Sequence, residues 1–369
     1  MTRARELANL AGVSETALSN RNLIINGAMQ ISQRGTDIDD ISGDTAYNMD
    51  RFRTRDYGGN GTYDYDQSGN VPNSTFNKSL KLTCKSAATD IGTFGYSLEQ
   101  IIEGYNIAQL HLGRSTAKPI TVSFWVKSSI AGTYSTGLRT TVGEFSFTTE
   151  FTLSANTWTY VTYTAPALTT TLSSLIEDNG VGLHVDIVGL GAQTSKIAST
   201  LDAWEAGNKV FSSNQTAWMS NAGATLNVTG VQLEVGEQAT PFEHRSYGEE
   251  LLACMRYYQQ IGGENANVLC TGQCTSSTLA QFFIPFIVPV RDNPTCSVSD
   301  QTHFRVFNAA VSGIPDTTNM TIGANVAASC NGFRILATVG SGLSAGNATM
   351  LYSGDSDNNA GIIKMDAEL

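Results

Sequence analysis

Apolar residues recur at every second position through much of this chain, and that period constrains its fold more than any other feature. Leu80, Leu82 and Cys84 alternate with Lys81, Thr83 and Lys85. Val122, Phe124 and Val126 alternate with Thr121, Ser123, Trp125 and Lys127, and Leu183, Val185 and Ile187 with Gly182, His184 and Asp186. Successive strand side chains face opposite sides, so such segments read as strands with one face on a core and the other toward solvent or a ligand. From residue 22 to about 245 strand follows strand, separated by loops rich in Gly, Ser and Asn. Many antiparallel strands with no helix between them point to an all-β, jelly-roll-like sandwich. Only 15% of residues are charged while glycines number 35. That balance suits sheets with tight turns, because Thr tolerates strand geometry and Gly supplies positive φ.

One local break in the period is informative. Leu226 and Val228 occupy one phase, whereas Val231, Leu233 and Val235 occupy the other. Both halves face inward only if a β-bulge sits at Thr229-Gly230, and Gly permits it. Further on, Ser246-Tyr247-Gly248-Glu249 has the spacing of a capping box. Leu251, Met255 and Tyr258 follow at helical spacing, which predicts a helix from 247 to about 258 between two β regions. In the final block Phe282, Ile284, Phe286, Val288 and Val290 share one phase, with Phe283, Pro285, Ile287 and Pro289 on the other. Two prolines on one phase suit an edge strand or a strand broken by bends. A strand apolar on both faces needs cover on both, for which a neighbouring subunit is a candidate.

At 369 residues the length prior allows two or three domains. The net charge of −11 argues against a nucleic-acid partner, since phosphate binding is driven by Lys and Arg. No apolar run approaches the roughly 18 residues of a membrane span, and the charged opening Met1–Glu6 lacks the apolar core of a secretion signal. Six cysteines read as reduced thiols made in a cytoplasm, Cys84 at a buried phase. Residues 1 to about 21 stand apart. Leu7, Leu10 and Leu18 form a short helical stripe, interrupted at Gly12, that cannot build a core alone and so docks on something else or stays disordered.

Several segments in order carry a resemblance. They are Asn22–Met29, Asp50-Arg51-Phe52, Val122–Lys127, Ala203–Asn208, Asn214–Met219, Val231–Gly236 with Pro241–Arg245, Pro289–Thr295 and Asp366–Leu369. Together they resemble bacteriophage tail-fibre and appendage proteins, of the kind found in phages of aquatic bacteria, whose middle looks like a carbohydrate-binding-module β-sandwich. The resemblance implies two β-sandwich domains joined by a short helix, with an N-terminal virion anchor at 1–21. The first domain would span 22–245, and the linker helix with a trimerising C-terminal domain 246–369. It further implies a homotrimer located in the virion, made in the host cytoplasm and contacting other virion proteins through residues 1–21. The expected function is non-enzymatic attachment to host surface glycan, weak sites being multiplied by copy number. A purely structural virion protein is the alternative, and a polysaccharide depolymerase stands third.

Glycan sites on sandwiches use an aromatic platform for the apolar face of a sugar, with polar groups beside it. The candidates are Tyr63 and Tyr65, His184 with Asp186 on one solvent-facing phase, and Trp204 and Trp218 in a long loop. Packing offers an alternative for each: core for the tryptophans, cross-strand contact for the tyrosines, a surface hydrogen bond for His184. Glycan hydrolysis needs a facing carboxylate pair, and the pattern marks none. There is no Gly-x-Ser-x-Gly turn or His-Glu-x-x-His helix. Asp355-x-Asp357-x-Asn359 is a weak match to a calcium loop, but Ala360 stands where that loop requires Gly, and a turn between strands explains it equally. No cofactor is expected, and no residue identifies a metal; a structural calcium in the middle domain remains a family-level expectation.

Overall fold

The computed structural model describes residues 20–43, 47–173, 177–308, 314–322 and 331–369. The expected anchor at 1–21 therefore lies, up to residue 19, outside the described residues. The chain forms two compact units, the first ending at Glu250 and the second spanning Leu251–Glu368. Both are built almost wholly of antiparallel strands, as β-sandwiches.

In the first unit the strands are β1 (Asp37–Ile41), β2 (Tyr47–Met49), β3 (Phe52–Arg55), β4 (Thr62–Ser68), β5 (Ser79–Ser86) and β6 (Tyr96–Glu103). A single helical turn, α1 (Gly104–Ile107), precedes β7 (Ile120–Ser128), β8 (Gly132–Thr140) and β9 (Phe145–Leu153). Then come β10 (Thr159–Ala165), β11 (Val181–Gly191), β12 (Trp204–Ala206) and β13 (Thr225–Val235). A six-stranded sheet has the order β1-β4-β5-β13-β7-β10, and a seven-stranded sheet the order β12-β9-β8-β11-β6-β3-β2. Their inner faces share one core, in which Phe124 meets Phe151 edge-on at 5.7 Å and Phe147 stacks on Tyr163 at 5.9 Å.

The break expected at Thr229-Gly230 is a bulge: the β13–β7 register shifts between Thr229 and Gln232, and Gly230 has φ +65°. Both apolar phases of β13 thereby reach the core, with Leu226, Val228, Val231 and Leu233 all buried. A side chain at 230 would also strike the Phe76 ring at 2.7 Å.

Two of the segments that carry the family resemblance meet in space. The Leu23 amide donates to the Leu233 carbonyl (2.9 Å), and the Asn22 side chain bonds Val231 and Leu233. Asn26 uses its amide side chain to close the loop to Ile31, while its backbone N–H donates to Glu250 (2.6 Å). Arg245 pairs with the same carboxylate at 3.2 Å. Buried asparagines here replace ladder hydrogen bonds that a non-strand segment cannot make.

The capping box forms as expected. The Ser246 N–H donates to Glu249 (3.0 Å) and the Glu249 N–H to the Ser246 hydroxyl (3.3 Å). Helix α2 then runs Tyr247–Met255, ending three residues earlier than predicted because Tyr258 opens a strand.

The second unit contains β14 (Tyr258–Gly262), β15 (Asn267–Cys274), β16 (Leu279–Pro285), β17 (Thr295–Val298) and β18 (Phe304–Asn308). It continues with β19 (Thr317–Ile322), β20 (Gly332–Val339), β21 (Ala348–Ser353) and β22 (Ile362–Asp366). A three-stranded sheet, β14-β22-β17, faces a six-stranded one, β18-β21-β15-β16-β20-β19. Of the two readings of the 282–290 segment, the strand broken by bends is the one observed: β16 stops at Pro285, bends follow at Ile287 and Val288, and the strand is interior rather than an edge. Proline fits there because β15 pairs with β16 only as far as Phe282. The bond from Phe286 N–H to Asn331 O sets the ladder phase so that the Pro285 nitrogen points away from β20. Phe282 and Ile284 are buried, whereas Phe283 and Ile287 are about 60% exposed.

Candidate functional site

The structure distributes the six sequence candidates over three environments. Tyr63 and Tyr65 lie on the inner face of β4, each 1% exposed, within the core. This corrects their assignment to a ligand-accessible face. The intervening aspartates take the outer side instead, Asp66 paired with Lys81 (2.7 Å) and Asp64 with Lys85 (3.4 Å). A period-two strand offers one inward phase, and ionised carboxylates cannot occupy it. Trp218, on a 3-10 turn, is fully buried and belongs to the same core, so it presents no face to solvent. Trp204 is half-buried on the short edge strand β12, its indole N–H donating to the Pro166 carbonyl (2.7 Å) and its ring 5.9 Å from Phe147.

His184 and Asp186 do share a face, the outer one of the seven-stranded sheet, but that face is closed. Strand pairing sets Glu99 on β6 beside Asp186 on β11, and His184 beside Arg139 on β8. Arg139 grips Asp186 with Nε (2.7 Å) and Nη2 (3.1 Å), and Nη2 also reaches Glu99 (2.5 Å). Arg53 from β3 holds the other Glu99 oxygen at 2.7 Å, and His184 Nδ1 lies 3.2 Å from Glu99. The roof comes from loops: Asn208 accepts from Arg139 (3.3 Å), and Gln215 bonds Gly189 O and Ser135 N–H. Glu99, Arg139 and Asp186 are each no more than 2% exposed.

These charges are tuned by one another. Burial opposes ionisation of Glu99, yet the Arg139 charge, the hydrogen bond from His184 and the Arg53 charge together hold its carboxyl well below the usual range. Burial raises the Asp186 carboxyl above its ordinary value, Arg139 offsetting part of the effect. Burial and then Arg139 lower the His184 imidazole, so it is neutral at pH 7 and donates Nδ1–H to Glu99. Two carboxylates with divergent proton affinity are the raw material of glycoside cleavage. Here their oxygens are taken by guanidinium groups beneath a roof, an arrangement that locks sheet and loop together.

A residue set outside the six sequence candidates stands open on the other sheet. The outer face of β7 carries Trp125 and Lys127, and the adjoining edge strand β10 presents Tyr160, Thr162 and Thr164, with Trp158 just before it. Trp125 and Tyr160 are directly paired across the strands, ring centroids 5.2 Å apart and planes inclined by 46°. Lys127 lies 5.5 Å over the Trp158 ring, whose indole N–H donates to Asn70 Oδ1 (3.2 Å). Tyr160 is 43% exposed, while Trp125, Lys127 and Trp158 are half-buried, so each ring keeps a solvent-facing part. The glycine at 230 shapes this edge: an ideal Cβ there would lie 3.3 Å from Trp125 as well as against Phe76. Aromatic faces flanked by an ammonium, an amide and threonine hydroxyls can stack on the apolar side of a pyranose and bond its hydroxyls. The sequence signal was Trp125 itself, a large ring on the Thr121–Ser123–Lys127 phase.

The Asp355–Asn359 segment is a turn. The Asp355 carboxylate accepts the amides of Asp357 (3.0 Å) and Asn359 (2.8 Å) and the Asn359 side chain (2.9 Å). Bonding to Asn359 lowers its proton affinity. Among the described residues no three acidic, His or Cys side chains group as metal ligands.

No family model and no curated protein matches the chain. Among solved structures it is similar to an arabinose-bound GH51 α-L-arabinofuranosidase, at 12% identity and TM-score 0.32 over 56% of this chain and 26% of that one. It is also similar to the enzymatically active domain of bacteriophage CBA120 tailspike protein 4, at 11% and 0.31 over 58% and 22%. A CBM4 structure matches at 15% and 0.29, over 57% and 98%. The chain spans about a quarter of the length of the first two. Likeness of this extent carries no function across to this chain.

Proposed function

We propose that the protein is a non-enzymatic, glycan-binding appendage protein of a phage virion, acting as a homotrimer in attachment to the host surface. The observation that carries the binding part is the open Trp125–Tyr160–Trp158 platform with Lys127 and Asn70 beside it. The order of family-like segments along the sequence supports the virion part. The engagement of both Glu99 and Asp186 by arginines favours binding over cleavage. A shallow platform of a few rings gives weak affinity per site, and several copies on one particle raise it by avidity.

The test is binding of labelled, purified protein to host cells and to the same cells stripped of surface polysaccharide. Saturable binding that is lost on stripping, and that competes with phage adsorption, supports the reading. Equal binding to stripped cells, or release of reducing ends from the polysaccharide, overturns it.

A further inference from the structure

The three-stranded sheet of the second unit is too narrow to cover its six-stranded partner, and the shortfall is a cleft. Its volume is about 610 Å³, and it opens between β17 and β19. Both are terminal strands of their sheets: among the described residues no further strand pairs with the outer edge of β17 or of β19, although just before β19 Asp316 bridges Arg305 of β18 and the Val306 N–H donates to Pro315 O. The cleft is lined mostly by polar residues, among which Val298 from one sheet and Met320 and Ile322 from the other are apolar, and Asp300 at its rim supplies a negative charge. Asp300 is half-exposed and lies 3.9 Å from His303.

The backbone of β17 specifies what fits. The Ser299 N–H donates to Ile362 O, which makes Ser297 and Ser299 the residues bonded to β22. Antiparallel alternation then turns the N–H and C=O of Cys296 and Val298 outward into the cleft. Exposed sheet edges are usually guarded by charges, prolines or brevity. Here Thr295–Val298 is guarded by brevity alone, at four residues, and Thr317–Ile322 contains neither charge nor proline, whereas edge strand β1 in the first unit carries three aspartates in five residues.

We infer that this cleft receives an extended segment of a partner polypeptide, added as a fourth strand on β17, with alternate apolar side chains on Val298, Met320 and Ile322 and a basic residue opposite Asp300. Main-chain bonds supply affinity in strand addition, and the pockets for alternate side chains supply selectivity. The inference is independent of the glycan reading, which concerns the other unit.

The experiment uses the full chain and a synthetic octapeptide of alternating valine and threonine with one central lysine, read by residue-resolved hydrogen exchange. Exchange at the Cys296 and Val298 amides is expected to slow at least tenfold at saturation. A peptide with glutamate for lysine should bind less well, and Asp300→Lys should reverse that order. Val298→Pro removes an N–H that the native ladder does not use, so it should spare folding and abolish protection. No slowing at saturating peptide, or equal protection in Val298→Pro, overturns the proposal. So does protection without peptide that grows with protein concentration, because a second copy then fills the cleft. If Val298→Pro fails to fold, the charge reversal at Asp300 decides alone.

Discussion

Replacing Arg139 by Met should expose how strongly the closed face of the seven-stranded sheet depends on one guanidinium. Arg139 makes two bonds to Asp186 (2.7 and 3.1 Å) and one to Glu99 (2.5 Å), all at 2% exposure or less. The variant keeps both carboxylates in the interior but strips Asp186 of the cation that holds it. Removing one partner of a buried ion pair typically costs about 3–5 kcal/mol. At roughly 2–4 °C per kcal/mol for a unit of this size, the melting temperature of the first unit should fall by about 6–20 °C at pH 7. Without the arginine the folded-state proton affinity of both carboxyls rises, so protonation relieves the unpaired charge. The deficit should therefore shrink as pH falls toward 5. Denaturant titrations of wild type and variant at pH 7 and pH 5, with calorimetry at each, provide the measurement. A loss below about 1 kcal/mol at pH 7, or one that does not change with pH, would refute the reasoning. Adding Asp186→Asn to the variant should recover much of the stability, since the amide is neutral and can still bond while Glu99 keeps Arg53 as its partner at 2.7 Å.

Three further outcomes follow from particular residues. The imidazole of His184 is depressed on folding, so the unfolded chain binds its proton more readily; its contribution is complete above the ordinary value of 6.5 and declines as pH falls below it. His184→Gln, which can keep a bond to Glu99, should flatten the stability–pH curve between pH 7 and 5, and an unchanged slope there would contradict the assignment. Gly230→Ala should cost at least about 1–2 kcal/mol for the left-handed backbone alone, with more from the collision with Phe76 at 2.7 Å; a neutral effect in denaturant titration would mean the bulge shifts freely. Ser246→Ala, at the exposed start of α2, should lose about 1 kcal/mol with both bonds of its hydroxyl, and no loss would show that the remaining bond from the backbone N–H of residue 246 to Glu249 suffices.

Much of the fold was legible because strand period is a local property. The alternation at Leu80–Lys85, Val122–Lys127 and Leu183–Ile187 located β5, β7 and β11, and the phase change at Thr229-Gly230 located the bulge in β13. The capping residues of α2 are likewise neighbours in sequence. What escaped was set by distant pairing. Glu99, Arg139 and Asp186 come together only because β11 lies between β6 and β8, which no period reveals. The roof over them makes β11 buried on both faces, so a phase that reads as solvent-facing is an interior one. Tyr63 and Tyr65 face inward for a simpler reason: tyrosine satisfies either phase, and the flanking aspartates, paired with Lys81 and Lys85, decide which phase faces out. The Pro285 position shows the same limit, since an interior strand accepts proline only where its neighbour has already ended. Trp125 was readable, an aromatic ring breaking a polar phase.

The central claim is that the Trp125–Tyr160 edge holds sugar. Its most direct test is a titration of intrinsic tryptophan fluorescence with fragments of the host's surface polysaccharide, comparing wild type with Trp125→Ala, Tyr160→Ala and, as a control, Trp204→Phe. The account predicts a saturable change in wild type and in the Trp204 control. Affinity should fall by roughly tenfold, about 1.4 kcal/mol, in each platform variant. Saturable binding that survives both platform substitutions unchanged would contradict it.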